Sequence, residues 1–277
     1  MAAEPRAHRR WRVALTRIVA AVAAWISRRI LNYLDQPTTR YAPFFSPDLD
    51  VLRRSLQPGD ILLIEGNTRL SAIIKYLTQS TWSHAALYIG DALGPDPNGG
   101  EPRVMIEALA SDGVVAVPLA KFARFNKRIC RPVGLSDQDR KAIVDYAITR
   151  IGMLYDSKQI LDLARYLFPY PPVPVALRRR LLAFGGGDPT KAICSTLIAQ
   201  AFASVHYPIL PERVEIGGKA YGVAPYIESE TEHIRTHGLY TPRDFDVSPY
   251  FAVIKPTVEE GFDYRALKWV PDAERNQ

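Results

Sequence analysis

Apolar residues recur along this chain with two periods. Residues 60–65 hold a short continuous apolar run, Ile61 to Ile64, flanked by Asp60 and Glu65, which predicts a buried strand. Leu70, Ile73, Ile74 and Leu77 follow at helical spacing. Residues 85–89, 104–108 and 114–117 read as three more strands, with a Gly/Pro-rich loop over residues 91–101 between the first two. A strand is expected around Ile129. Ser136, with Asp139 three residues on, predicts the start of a helix that runs to about Arg150, with Ile143, Tyr146, Ala147 and Ile148 near its buried face. Residues 192–198 read as the mouth of a further helix.

The flanking regions are less regular. Residues 8–30 set arginines and two tryptophans, Trp11 and Trp25, around an apolar run over residues 18–26 that is too short to span a bilayer. Three readings stay open for it: an amphipathic helix on a membrane surface, a weak signal peptide, or a helix packed on the protein. Arg28 and Arg29 count against the signal peptide. The chain divides into a basic helical extension (1–35), a linker (36–54), a main domain (55–250) with a Pro-rich insertion at 153–188, and a C-terminal tail (251–277). Within the insertion, Pro169-Tyr170-Pro171-Pro172-Val173-Pro174 cannot be helical. Such a segment is either a lid or wall over a site or a surface excursion.

Composition adds little to the fold but bears on partners. A hydrophobic fraction of 47% and a charged fraction of 23% suit a globular protein with a full core. The net charge is +6, and it resides in the first 30 residues, where Arg6, Arg9, Arg10, Arg12, Arg17, Arg28 and Arg29 face one acid, Glu4. That tail suits an anionic surface such as lipid headgroups; a nucleic-acid partner rests on charge alone, so no specific one is expected. The two cysteines, Cys130 and Cys194, make no disulfide framework. No C-x-x-C or H-E-x-x-H spacing supports a metal site, and no cofactor is expected.

Chemistry is concentrated in two segments. One is Trp82-Ser83-His84-Ala85-Ala86-Leu87-Tyr88-Ile89-Gly90, a strand with one histidine. The other is Ala192-Ile193-Cys194-Ser195-Thr196-Leu197-Ile198, a cysteine at a helix start. A nucleophilic thiol needs a base, and a helix N-terminus favours the thiolate. Residues far apart in sequence can meet in this way. Taken alone, a free cysteine is ordinarily a buried, inert group, as expected of Cys130, and a lone strand histidine is ordinarily packed core. His206, His233 and His237 are the rival bases; His206 follows the cysteine helix at a turn. Glu107 lies on the strand expected after the histidine strand, within reach to orient an imidazole, with Asp112 as the alternative.

Together with Pro58-Gly59-Asp60-Ile61-Leu62, Gly152-Met153-Leu154-Tyr155-Asp156 and Thr241-Pro242-Arg243-Asp244-Phe245, these segments resemble the circularly permuted, papain-like cysteine hydrolases of the NlpC superfamily, in particular the YiiX/YebB-like branch related to the lecithin:retinol acyltransferase group. The resemblance runs over residues 55–245. It implies an α+β fold: an antiparallel sheet or small barrel packed against helices, here with an N-terminal helical extension. It implies Cys194 as nucleophile, His84 as base and Glu107 as orienter, with the Cys194 amide, Tyr155 and Asp60 as candidates for the oxyanion or substrate site. The activity implied is hydrolysis or acyl transfer at an amide or ester through an acyl-thioester, on lipid or cell-wall peptide substrates. The contrasting expectation is an inactive papain-like binding or scaffold protein at the membrane.

Overall fold

The computed structural model describes residues 25, 29, 32–37, 43, 48–109, 111–154, 193–210, 215–216, 219–220, 240–259, 261 and 263–266. Six strands form one antiparallel sheet: β1 (Ile61–Ile64), β2 (His84–Tyr88), β3 (Met105–Leu109), β4 (Gly113–Val117), β5 (Lys127–Pro132) and β6 (Phe251–Ile254). Their order is β4-β3-β2-β1-β5-β6. The sheet is open, with β4 and β6 at its edges, so the antiparallel sheet expected from the resemblance is present without closure into a barrel.

All four residues of β1 are buried, and its central place explains why. Alternation sends Ile61 and Leu63 to one face and Leu62 and Ile64 to the other. The first pair joins a large cluster with Leu87, Ile106 and Phe202. The second joins a smaller cluster with Leu52, Met105 and Phe122. A strand covered on both faces reads as an unbroken apolar run, and here the sequence shows one. Helices α3 (Asp137–Ile148) and α4 (Ile193–Ala203) cover the first face. Helix α1 (Leu49–Ser55) and a 3-10 turn (Leu119–Phe122) cover the second. Between β1 and β2 lies α2 (Arg69–Thr78), capped by the Thr68 hydroxyl, which accepts from the Ser71 N–H at 3.2 Å.

Several boundaries differ from the sequence reading. Residues 36–54 do not remain a linker throughout: Asp48 caps α1, and Leu49, Leu52 and Leu56 bring it onto the second cluster. Flanking prolines and arginines hide that short apolar pattern in the sequence. Nor is 251–277 a tail from its first residue, because Phe251–Ile254 completes the sheet against β5. Phe251 stacks edge-on with Phe202 and Phe245, with ring centroids 5.3 and 5.8 Å apart. Helix α3 begins where Ser136 predicts, with the Ser136 hydroxyl accepting from the Asp139 N–H at 3.1 Å. Its buried face is Ile143, Val144 and Ala147, with Tyr146 and Ile148 half-buried beside them.

Candidate active site

The site is assembled at the end of the sheet where β1 finishes and β2 begins. His84 is the first residue of β2, opposite Ile64, the last of β1. The approach to it is cinched: the Ser83 N–H donates to the Ile64 carbonyl at 3.1 Å, and the Ser83 hydroxyl accepts from the Gly66 N–H at 2.9 Å. Gly66 has to be glycine, since a Cβ there would stand 2.2 Å from the Ser71 Oγ. Two residues before His84, the Trp82 indole N–H donates to Asp246 at 3.0 Å, and Arg128 donates to the other Asp246 oxygen at 2.5 Å. Asp246 lies on α5 (Pro242–Val247), which a Thr241–Asp244 capping box starts, the Thr241 N–H donating to the Asp244 carboxylate at 2.8 Å. The Thr-Pro-Arg-Asp-Phe segment thus ties the chain beyond α4 to the residues around the histidine.

Register brings Glu107 to the histidine. Leu87 pairs with Ile106 and Tyr88 with Met105. Continuing that ladder sets Glu107 opposite Ala86, diagonal to His84 on the same face, a spacing that long side chains bridge. The His84 Nε2 lies 2.7 Å from the Glu107 Oε2. Glu107 is almost wholly buried (1% exposed), whereas the His84 side chain keeps 21% of its surface. With Nε2 engaged, Nδ1 is the ring nitrogen left for the thiol.

Cys194 is the second residue of α4, buried at the sheet end, and it interacts directly with the His84 imidazole. Burial works against charge on both groups, and their mutual attraction overrides it. For His84, burial alone lowers the pKa; the Cys194 thiolate and the Glu107 carboxylate lift it to about 10. For Cys194, burial raises the pKa, but the imidazolium, the Ala85 N–H and the Ser195 hydroxyl bring it below the ordinary thiol value. Glu107 follows the same pattern: burial raises it, and His84 and Lys121 more than compensate, so it stays ionised. The lowered thiol and the raised imidazole favour a thiolate–imidazolium pair, with the Glu107 carboxylate behind it. Such a pair presents a nucleophile at neutral pH and holds a proton ready for a leaving group.

The other candidates fall elsewhere. Asp60 sits at the opposite end of β1, four residues and about 13 Å of strand from the histidine. Its buried carboxylate takes Arg131 through both oxygens, at 3.0 and 2.7 Å, and accepts from the Gln57 N–H at 2.8 Å. It shapes the β1–β5 end of the sheet, away from the His84 imidazole. Asp112 is exposed in the β3–β4 turn, where it accepts from the Ser111 hydroxyl at 2.8 Å. His206 takes a left-handed turn just after α4, with φ of 57°. Tyr155, most of the 153–188 insertion, His233 and His237 lie outside the described residues. The start of the insertion is docked: the Val114 N–H donates to the Met153 carbonyl at 2.9 Å, against Gly113 at φ of 71°. A Cβ on Gly113 would meet the Met153 oxygen at 2.1 Å, so a side chain there displaces the segment.

Among the described residues, no group of three or more His, Cys, Asp or Glu side chains could hold a metal ion, and no helix is long and apolar enough to cross a membrane. Sequence reasoning missed Lys121 and the Trp82–Asp246–Arg128 link. Nothing in Pro118-Leu119-Ala120-Lys121-Phe122 or in the Asp246 segment signals either one; only the fold brings them in.

Two comparisons with known proteins give a match. Residues 55–166 match the family described as permuted papain-like amidase enzymes, YaeF/YiiX, C92 family. The matched stretch contains His84 and Glu107 and ends before Cys194. Among solved structures, that of the metalloprotein YiiX from Escherichia coli O157:H7 is similar, at 17% identity and a TM-score of 0.41, over 73% of this chain and 97% of that one. No curated protein matches the chain.

Proposed function

We infer from the match of residues 55–166 to the permuted papain-like, YaeF/YiiX amidase family that this chain is a cysteine hydrolase, and we propose Cys194 as its nucleophile. The observation that carries the reading is the coupling of Cys194 to His84, with Glu107 2.7 Å behind the imidazole. In the proposed reaction the thiolate attacks the carbonyl carbon of an amide or ester. The developing oxyanion is met by the Cys194 backbone N–H. His84 gives its proton to the departing amine or alcohol, leaving an acyl-thioester on Cys194. Water then adds to the thioester, His84 takes the proton, and the acid leaves as the thiolate re-forms. An acceptor alcohol or amine in place of water makes the same intermediate an acyltransferase. Glu107 keeps the ring oriented and stabilises its charged form.

The substrate class we propose is a lipid acyl group or a cell-wall peptide, with residues 8–30 as a peripheral membrane contact. An exposed tryptophan with an arginine partner supports that contact: Trp25 is 61% exposed with the Arg29 guanidinium 5.4 Å from its ring. Arginine and tryptophan side by side suit a headgroup interface. The test is mass spectrometry of the intact protein after mixing with a phospholipid vesicle or a short peptidoglycan peptide. An acyl mass on Cys194, absent in Cys194→Ala, is the expected result. If neither substrate leaves an adduct and neither is turned over, and Cys194 alkylates no faster than Cys130, the inactive binding reading replaces this one.

A further inference from the structure

Glu107 has two oxygens in a buried place, and the proposed reaction uses only one. Oε2 faces the His84 Nε2 at 2.7 Å. Oε1 takes the Lys121 ammonium in a short, direct contact. Lys121 projects from the 3-10 turn Leu119–Phe122, whose Leu119 and Phe122 are packed into the second core cluster. The turn is therefore anchored, while the lysine side chain remains 40% exposed. Among the described residues, the charged groups facing Glu107 are His84 from β2 and Lys121 from this turn, and those facing His84 are Cys194 from α4 and Glu107 from β3.

We propose that Lys121 is a positioning residue of the active site, acting through Glu107: it holds the outer carboxylate oxygen so that the inner one stays on His84. The proposal rests on the reading of Cys194 and His84 as the reactive pair. A buried carboxylate with a single partner can rotate or take up a proton, and either change releases the imidazole. Lys121 closes off both escapes. Its second effect is on charge. Removing the ammonium favours protonation of Glu107 and weakens the imidazolium, which in turn raises the thiol, so the acid limb of the thiolate profile moves up.

The experiment is the rate of Cys194 alkylation by iodoacetamide against pH, in full-length Cys130→Ser protein, for Lys121 as it stands and for Lys121→Met, Lys121→Gln and Lys121→Arg. The acid limb is expected to move up by about one pH unit in both neutral variants, a roughly ten-fold slower reaction on that limb. Lys121→Arg is expected to restore most of it, since it keeps the charge and the reach. Methionine retains the stem beside Phe122, and glutamine is a second neutral replacement should one of the two unfold on melting. An acid limb unchanged in both neutral variants, or equally displaced in Lys121→Arg, overturns the proposal. A wild-type Cys194 that titrates like a free thiol instead overturns the underlying reading, so the two failures are distinct.

Discussion

The two ends of the sheet are built from similar materials. At the Asp60 end, a buried carboxylate pairs with Arg131 beside a buried thiol, Cys130, which lies opposite Ile61. At the His84 end, a buried carboxylate pairs with an imidazole beside a buried thiol, Cys194. Burial treats the two thiols alike, yet Cys130 is pushed up to about 12 while Cys194 is brought below the ordinary value. The difference is the partner. Beyond burial, Cys130 faces repulsion from Asp246, which Arg128 opposes, and a smaller repulsion from Asp60. Cys194 has an imidazolium in contact. At the Asp60 end the cation is a guanidinium that keeps its protons, and the pair braces backbone: Arg131 also donates to the Ser55 carbonyl. At the His84 end the cation is one whose proton can be passed on.

Breaking the reactive end gives the largest effect. Cys194→Ala is expected to remove turnover by at least ~10⁴-fold, with the fold intact by circular dichroism. Breaking the structural end is a matter of stability. Asp60→Ala leaves Arg131 without its carboxylate in a mostly buried place and is expected to destabilise the protein by about 3–5 kcal/mol in urea unfolding. The alkylation profile of Cys194 should be unchanged in that variant; a shifted profile would reconnect Asp60 with the site. His84→Ala is expected to make Cys194 resemble Cys130, because burial then acts unopposed. Alkylation at pH 6 should fall by on the order of 10²-fold or more.

The pH profile sharpens the contrast further. The folded pKa of His84 is raised, so its imidazolium is present below about 10 and lost above it. The pKa of Cys194 is lowered, so the thiolate is present from below the ordinary thiol range upward and lost as the pH falls through that depressed value. The rate of acyl transfer is therefore expected to rise on the acid side at a pH below the ordinary thiol range and to decline above about 10, where the leaving group loses its proton donor. Steady-state kcat/KM against pH measures this, and a single rise near the free-thiol value with no alkaline decline would contradict it. The smallest effect is expected at Cys130→Ser, with turnover within about two-fold of the parent, because that thiol takes no part in the chemistry.

Much of the sheet was legible in the sequence. The apolar runs of β1 to β5 and the Ser136 cap are local signals, set by which side chains tolerate burial and which cap a helix. His84, Glu107 and Cys194 were legible as a group only through motif resemblance. Periodicity alone does not separate a packed histidine from a reactive one. Helix α1 and strand β6 were not legible, because short apolar patterns become elements only against a surface already formed by others.

What the sequence by itself determined is the inventory: five apolar segments of strand character, one cysteine at a helix start, one histidine opening a strand, one acid on the strand after it. Tertiary structure decided what each does. Register put Glu107 diagonal to His84 rather than across the sheet, packing put Lys121 on its second oxygen, and strand direction sent Asp60 to the far end. Local propensity specifies conformation residue by residue, but a pKa depends on charges within a few ångströms, and those neighbours come from distant parts of the chain.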